Sequence, residues 1–264
     1  MADQDEQVAL LPIWPMADLG VDAVIATRAG GVSRPPYDSL NLGLHVGDAE
    51  DRVVTNRERL AATFGCHLDD MVYLDQSHGT RVATVGAQHA GRGARFVENA
   101  LSATDAAVTT VVGLPLVILV ADCSPIVLVD PVAGVLGVVH AGWRGAVAGI
   151  GAATVAAMVA AGAERSRLHG WIGPGVDVER YQVGPEVVVA ARSGGAGVAV
   201  VEREGGTHLD MALLNRTMLE AAGVPGDQLA ASELTTADPR LFSDRHARPC
   251  GRFALVARLT GRPS

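Results

Sequence analysis

Residues 121–145, "ADCSPIVLVDPVAGVLGVVHAGWRG", contain two β-rich apolar runs, "PIVLVD" and "GVLGVVH", joined by the short link "PVA". The pattern predicts an antiparallel hairpin. Opposed positions in such a pair have residue numbers with a constant sum. If Asp130 faces Gly134, Cys123 lies opposite Ala141, and a one-residue change in the turn sets it opposite His140. Facing Cα atoms are roughly 4.5–5.5 Å apart, so a thiolate and an imidazole can meet at one end of the sheet. Asp122 before Cys123 and Gly-Trp-Arg-Gly after His140 keep that end charged and open. A Cys/His pair serves either as a nucleophile with its base or as half of a zinc site. Two ligands hold zinc poorly, so the metal reading requires a third.

Around the hairpin, "VDAVIAT" (21–27) predicts a strand and "RAGGVSRPPYDSLNLG" (28–43) a long Gly/Pro/Ser loop. "DAEDRVVTNRERLAATFG" (48–65) has helical apolar spacing, acidic residues at its start and Gly65 after its last turn. Residues 86–104, rich in Gly, Ala and Arg, predict a mobile loop. "AVAGIGAATVAAMVAAG" (146–162) is apolar on nearly every face and predicts one buried helix stopped at Gly162. "LHGWIGPGV" runs as a strand into a turn, 210–222 as an acidic helix, and "RFALVARL" (252–259) as a terminal strand. Strands and helices mix without a regular βαβ rhythm, which predicts an α+β fold with mixed sheets packed against helices. A length of 264 residues suits one large domain or two small ones. No repeat or linker divides the chain, so an N-terminal segment (1–20) followed by a single domain (21–264) is expected.

The net charge of −8 argues against nucleic acid or an anionic membrane as the main partner. The longest apolar run, "LPLVILVA", falls far short of the ~20 residues of a membrane span. The acidic start "MADQDEQVALLPIW" lacks the basic and apolar regions of a signal peptide, so a cytoplasmic location is expected. Three cysteines, Cys66, Cys123 and Cys250, predict no disulfide framework. All 21 basic residues are arginine, which excludes a Schiff-base lysine and a P-loop. Any bound anion is then held by arginine, backbone N–H groups or metal.

"QSHGTRV" (76–82), "ADCSPIVLVDP" (121–131) and "HAGWRG" (140–145) resemble the three signature motifs of the YfiH-like, laccase-domain family. "TRAGGVS" (27–33), "SLNLGLHVGD" (39–48), "NRERL" (56–60), "IGPGV" (172–176), "YQVG" (181–184) and "FSDRHARPCGRF" (242–253) extend the resemblance over about residues 25–260. It implies a single-domain α+β fold, the YfiH-like fold, and one zinc ion held by His78, Cys123 and His140. Members of that family were first described as multicopper polyphenol oxidoreductases. Later they were recognised as purine nucleoside phosphorylases that also take adenosine and methylthioadenosine and can deaminate adenosine. The resemblance therefore implies a zinc-dependent phosphorylase acting on purine nucleosides and inorganic phosphate, as a monomer or small homo-oligomer. The tail departs from the family's usual Phe-Ser-Tyr-Arg-Arg-Asp, reading Phe242-Ser243-Asp244-Arg245-His246, while the zinc triad is intact.

A His/Cys/His set leaves zinc's fourth position open to polarise a water, phosphate or substrate oxygen. Arginine forks suit phosphate, and Arg28, Arg57 and Arg144 lie within matching motifs. Arg57 joins His78, Cys123 and His140 as a candidate catalytic residue. Arg28, Arg144, Ser39 and Asn41 are candidates for substrate contacts. His45, in "LHVGD", and the remaining histidines read as loop or surface residues. A laccase-type copper cluster needs about eight histidines, largely as His-X-His pairs. The chain has eight in total and no His-X-His, so a blue-copper oxidase is excluded, although soft ligands can bind copper adventitiously. Two rival readings stand beside the phosphorylase. One is a Cys-His hydrolase in which Cys123 attacks an amide, as in the peptidoglycan precursor editing attached to some relatives. The other is a non-catalytic, zinc-binding nucleoside sensor. Dependence on free phosphate separates the first reading from both rivals.

Overall fold

The hairpin foreseen at 121–145 is the middle of a six-stranded sheet. The computed structural model describes residues 7–261. Its strands are β1 (Leu10–Pro12), β2 (Val21–Ala26), β3 (Val72–Tyr73), β4 (Val82–Thr84), β5 (Ala106–Thr109), β6 (Leu116–Val120) and β7 (Ser124–Asp130). They continue with β8 (Val135–Ala141), β9 (His169–Ile172), β10 (Val200–Arg203), β11 (Gly206–Leu209), β12 (Leu229–Ala231) and β13 (Phe253–Leu259). The helices are α1 (Trp14–Ala17), α2 (Glu50–Phe64), α3 (Trp143–Ala148), α4 (Ile150–Ala160), α5 (Pro185–Ser193) and α6 (Met211–Ala221). One sheet has the order β12-β9-β7-β8-β5-β4, a second has β1-β2-β13-β6-β3, and β10-β11 form a separate hairpin. Both large sheets mix parallel and antiparallel pairs, as an α+β fold allows.

Side-chain alternation decides the layers. On β7 and β8, Val127, Val129, Leu136 and Val138 face the second sheet, meeting Ile25, Ile118, Val120 and Leu255. Ile126, Leu128, Val135 and Val139 point the other way, onto Ile150, Val155 and Met158 of α4 and Leu219 of α6. The outer face of the second sheet, Val24, Val117, Leu119 and Val256, packs on Leu60, Ala61 and Phe64 of α2. The order is therefore helix, sheet, sheet, helices. Because both sheets are covered on both faces, β6, β7 and β8 are buried along their whole length. Each such aliphatic side chain contributes about 1.5–3 kcal/mol by leaving water.

Four expectations change. The register pairs Asp130 with Val135, so His140 faces Pro125 and Cys123 lies diagonal to it, beyond the strand. The single helix over 146–162 is two helices, split where Gly149 takes φ +94°, a conformation that stops α3 and restarts the chain as α4. Residues 86–104 are tied down: Arg95 pairs with Glu58 and Asp69, and Arg92 donates to the Asn99 and Ala100 carbonyls. Finally, β1 pairs antiparallel with β2, so residues 10–12 form the edge of a sheet the expected boundary at 21 would divide.

Helix α2 also settles the place of Arg57. Arg57 is 2% exposed, and its guanidinium donates to the Leu42, Gly93 and Ala94 carbonyls at 2.7–2.8 Å and stacks over the Tyr73 ring. Burial lowers its pKa to about 10, opposed by Tyr73. Arg57 thus fastens two loops to α2 and has no face on the cleft described below, which corrects its expected role as a phosphate contact. Arg57→Met should destabilise the protein by about 3 kcal/mol, because three buried carbonyls lose their donor. Urea denaturation measures it.

Candidate metal centre

At one end of the sheets three positions converge, His140 in β8 and Cys123 and Asp105 each one residue before a strand. Cys123 has the same parity as Val127 and Val129, His140 the same as Leu136 and Val138, and Asp105 the same as Ala107. His140 sits opposite Asp105 in the β5–β8 register, and its N–H donates to the Asp105 carbonyl at 2.7 Å. His78 arrives from the other direction. Gln76, just before it, clamps both backbone groups of Leu119 on β6 at 2.7 and 2.8 Å.

The Asp105 carboxylate, fully buried, joins these pieces. It accepts the successive backbone N–H groups of Ser77 (3.2 Å), His78 (2.9 Å) and Gly79 (2.7 Å), and the Ser77 hydroxyl at 3.1 Å. Three consecutive N–H groups around one anion form a nest, and a nest needs a left-handed residue. His78 supplies it, with φ +61°. The other contact of Asp105 is the His140 Nδ1 at 2.8 Å. Burial would raise this carboxyl, but the His140 hydrogen bond and the N–H groups of Gly79 and His78 outweigh it and hold the pKa at about 2.

With Nδ1 committed to Asp105, His140 turns Nε2 toward Cys123. Burial alone would raise the Cys123 thiol. The charge of His140 and hydrogen bonds from both histidines overcome it and bring the pKa down to about 6. His140 moves the opposite way: burial lowers it, and Cys123 and Asp105 together raise it further. The pair therefore favours thiolate and imidazolium. Gly142 makes room for it, since a Cβ there would lie 2.7 Å from the Cys123 sulfur and 3.0 Å from the His78 ring.

The donor atoms of His78, Cys123 and His140 lie within 4.8 Å of one another. A tetrahedral ion with ordinary zinc–nitrogen and zinc–sulfur bonds asks for donor separations of roughly 3.3–3.6 Å. Two imidazoles, a thiol already drawn toward thiolate, and a carboxylate orienting one imidazole from behind fit a metal ion.

This cluster is the floor of a cleft of about 810 Å³. Val176, Tyr181, Met211 and Trp143 form an apolar wall, and Arg144, Arg245, Arg248 and Arg252 line the polar side with Asp244. Arg144 stacks on Trp143, and Arg245 over Tyr181. Asp244 pairs with Arg248 and lies 3.8 Å from Arg252.

Residues 22–260 match the profile of the family described as multi-copper polyphenol oxidoreductase laccase. The chain belongs to this family. A Deinococcus radiodurans protein named purine nucleoside phosphorylase is 44% identical over 252 residues, covering 96% of this chain and 94% of the relative. A protein named adenosine deaminase RL5, from an unknown prokaryotic organism, is 38% identical over 81% of this chain and 83% of its own. The crystal structure of YlmD from Geobacillus stearothermophilus superposes with a TM-score of 0.90 at 34% identity, over 97% of this chain and 98% of that one. The family's relatives thus carry the names of enzymes acting on purine nucleosides.

Of the site residues expected from sequence, the structure brings together His78, Cys123, His140 and Arg144. It sets four others apart. Arg57 is the buried fastener of α2. Arg28 pairs with Asp38 and stacks over Phe242, lining a separate groove. Ser39 accepts from the Gly31 N–H and donates to the Arg28 carbonyl, shaping the loop. Asn41 is fully buried, bonded to Gly43, Asp48 and the Arg252 N–H. Four of these side chains share the motifs but spend their polar atoms on the backbone or on partners outside the cleft. Asp105, Tyr181, Met211, Arg245, Arg248 and Arg252 carry no role in the sequence reading, and Asp122 enters it only as a charge beside Cys123. His45, read as an ordinary loop histidine, lines the cleft. For the arginines and Asp244, the quoted tail motif was the available signal.

Two outcomes follow for the centre. Gly142→Ala should lower bound metal at least tenfold with an unchanged far-UV spectrum, read by elemental analysis of purified protein. In metal-free protein, Asp105 should contribute stability above its unfolded pKa of roughly 3.9 and lose it as pH falls toward about 2. Urea denaturation from pH 5 to 2 should show Asp105→Asn less stable at pH 5, with the gap to wild type closing as the pH drops.

Proposed function

We propose that the chain is a zinc-dependent purine nucleoside phosphorylase that converts adenosine, inosine, guanosine or methylthioadenosine, with phosphate, into the free base and ribose 1-phosphate. Adenosine deamination is a side activity of the same site. The observation that carries this reading is the cleft itself, in which a His/Cys/His donor set, four arginines and an apolar wall share one space. A flat, largely apolar base suits Trp143, Tyr181 and Met211, whereas phosphate suits guanidinium forks. Arg144 has no carboxylate partner among the described residues, and its stacking on Trp143 places a cation at the edge of the apolar wall. The relatives named purine nucleoside phosphorylase and adenosine deaminase support the same substrate class.

His78, Cys123 and His140 would hold the zinc, which would supply a Lewis acid in the cleft. The chain's own residues do the rest. Asp105 fixes the His140 tautomer, the arginines hold the anion, and the wall orients the base. The cysteine-hydrolase alternative needs one histidine as base, and leaves His78, with the nest that builds its conformation, without a role.

A panel of purine nucleosides assayed with and without phosphate tests the reading. Turnover should require phosphate and yield ribose 1-phosphate. Chelation should abolish it, and added zinc should restore it. His78→Ala, Cys123→Ala and His140→Ala should each lose metal and activity together. Arg144→Ala should raise the phosphate KM about tenfold or more while changing the nucleoside KM much less. Phosphate-independent turnover by chelated protein, with Cys123 trapped as an acyl adduct, would make the protein a hydrolase.

A further inference from the structure

The segment 232–252 joins β12 to β13 without strand or helix. Loops of such length within a packed domain are usually functional. This strap supplies Asp244, Arg245, Arg248 and Arg252 to the cleft. Its two ends are held differently. At the far end, the Arg252 N–H donates to the Asn41 side chain at 2.9 Å. Near the metal ligands, one carboxylate gathers three bonds from the strap: Asp122 Oδ1 accepts from the Thr236 hydroxyl at 2.5 Å and the Ser243 hydroxyl at 2.7 Å, and Oδ2 accepts the Arg245 N–H at 2.6 Å, while the Arg245 guanidinium donates to the Gln182 carbonyl at 3.3 Å. Ser243 Oγ in turn accepts the His246 N–H at 3.2 Å.

Asp122 immediately precedes Cys123, and its backbone is unusual. It takes φ +95°, in the half of conformational space that non-glycine residues seldom occupy. Its carbonyl accepts the Val176 N–H at 2.8 Å, and the neighbouring Gly175 carbonyl accepts the Thr236 N–H at 2.8 Å. Gly175 must stay bare, because a Cβ would lie 2.6 Å from the Ser124 hydroxyl and 3.2 Å from the Asp122 carbonyl. The strained turn thus aims the Asp122 carboxylate at the strap while the next residue aims its sulfur at the two histidines. Charge-assisted bonds of this length are about twice as strong as neutral ones.

We infer that Asp122 is a positioning residue that fixes the strap carrying Arg245 and Arg248 at a set offset from Cys123, and so couples the metal centre to the phosphate side of the cleft. This rests on the phosphorylase reading. Joining phosphate to a ribose carbon requires reacting atoms about 3–3.5 Å apart, so the offset between the anion-holding arginines and the metal ligands bears directly on phosphate use. Arg252, fixed by Asn41, serves as an internal control.

Asp122→Asn is the discriminating variant. Asparagine tolerates positive φ and keeps one acceptor for the two hydroxyls. Its amide group then faces the Arg245 N–H, donor against donor. Zinc per chain should be unchanged and the nucleoside KM should stay within twofold. The phosphate KM should rise roughly tenfold. Amide hydrogen exchange should accelerate at 243–248 and not at 252–259. Ser243→Ala, which removes one of the three bonds, should shift the same quantities less, and carries the test if Asp122→Asn fails to fold. An unchanged phosphate KM in both variants, with wild type phosphate-dependent, would overturn the inference. Loss of zinc from folded Asp122→Asn would also overturn it, by assigning Asp122 to Cys123 alone. Wild type that ignores phosphate would defeat the phosphorylase reading instead, and exchange then decides: unchanged rates at 243–248 reject the anchoring role, and faster rates support it.

Discussion

A buried carboxylate with five donors holds the functional end of this protein together. Asp105 could not remain charged between two apolar sheets without them, since an unpaired buried charge is among the costliest defects a core can contain. The N–H groups of Ser77, His78 and Gly79, the Ser77 hydroxyl and the His140 ring satisfy it. In return the carboxylate sets the left-handed conformation at His78 and the orientation of His140. Gln76 ties the same loop to β6 in the other sheet. The donor cluster therefore sits where the two sheets are stitched together, and its geometry is as rigid as their packing.

The arginines divide by partner rather than by motif. Arg57 is surrounded by carbonyls and a tyrosine ring, and its charge stays inside because three backbone acceptors replace water. Arg28 is neutralised by Asp38 beside a different groove. Arg144, Arg245, Arg248 and Arg252 line the cleft that holds the His78–Cys123–His140 cluster, and Asp244 pairs with Arg248 and Arg252. In a chain with no lysine, the same side chain supplies both structural fasteners and the cations that line the cleft. Exposure and partner choice separate the two uses.

The family's description as a multi-copper oxidoreductase sits uneasily with the donor set. Among the described residues, one group of three metal-competent side chains is present, made of His78, Cys123 and His140. A multicopper oxidase needs many more histidines arranged in pairs. The three donors suit a single ion, and they line a large, cationic and partly aromatic cleft. Relatives in the same family carry the names of enzymes acting on purine nucleosides.

Sequence alone determined the elements whose signals are local. The hairpin, the helix over 50–64, the closing strand and the α+β class follow from apolar period and turn residues within a few positions of one another. The donors His78, Cys123 and His140 were legible because residue type limits which side chains bind a metal, and quoted motifs carried them. Tertiary structure decided the rest. The register of β7 against β8, one position away from the expected pairing, depends on the turn and on two neighbouring strands. The break at Gly149 needs a conformation that composition does not reveal in an otherwise apolar helix. By sequence Asp105 is an ordinary acid, Asp122 only a charge beside Cys123, and Arg57 a pocket residue. What distinguishes them are bonds to residues 26–28, 35, 36–37 or 114–123 positions away, which exist only after the sheets close. Residue chemistry fixed what could bind here, and burial with its partners fixed which side chains were free to do so.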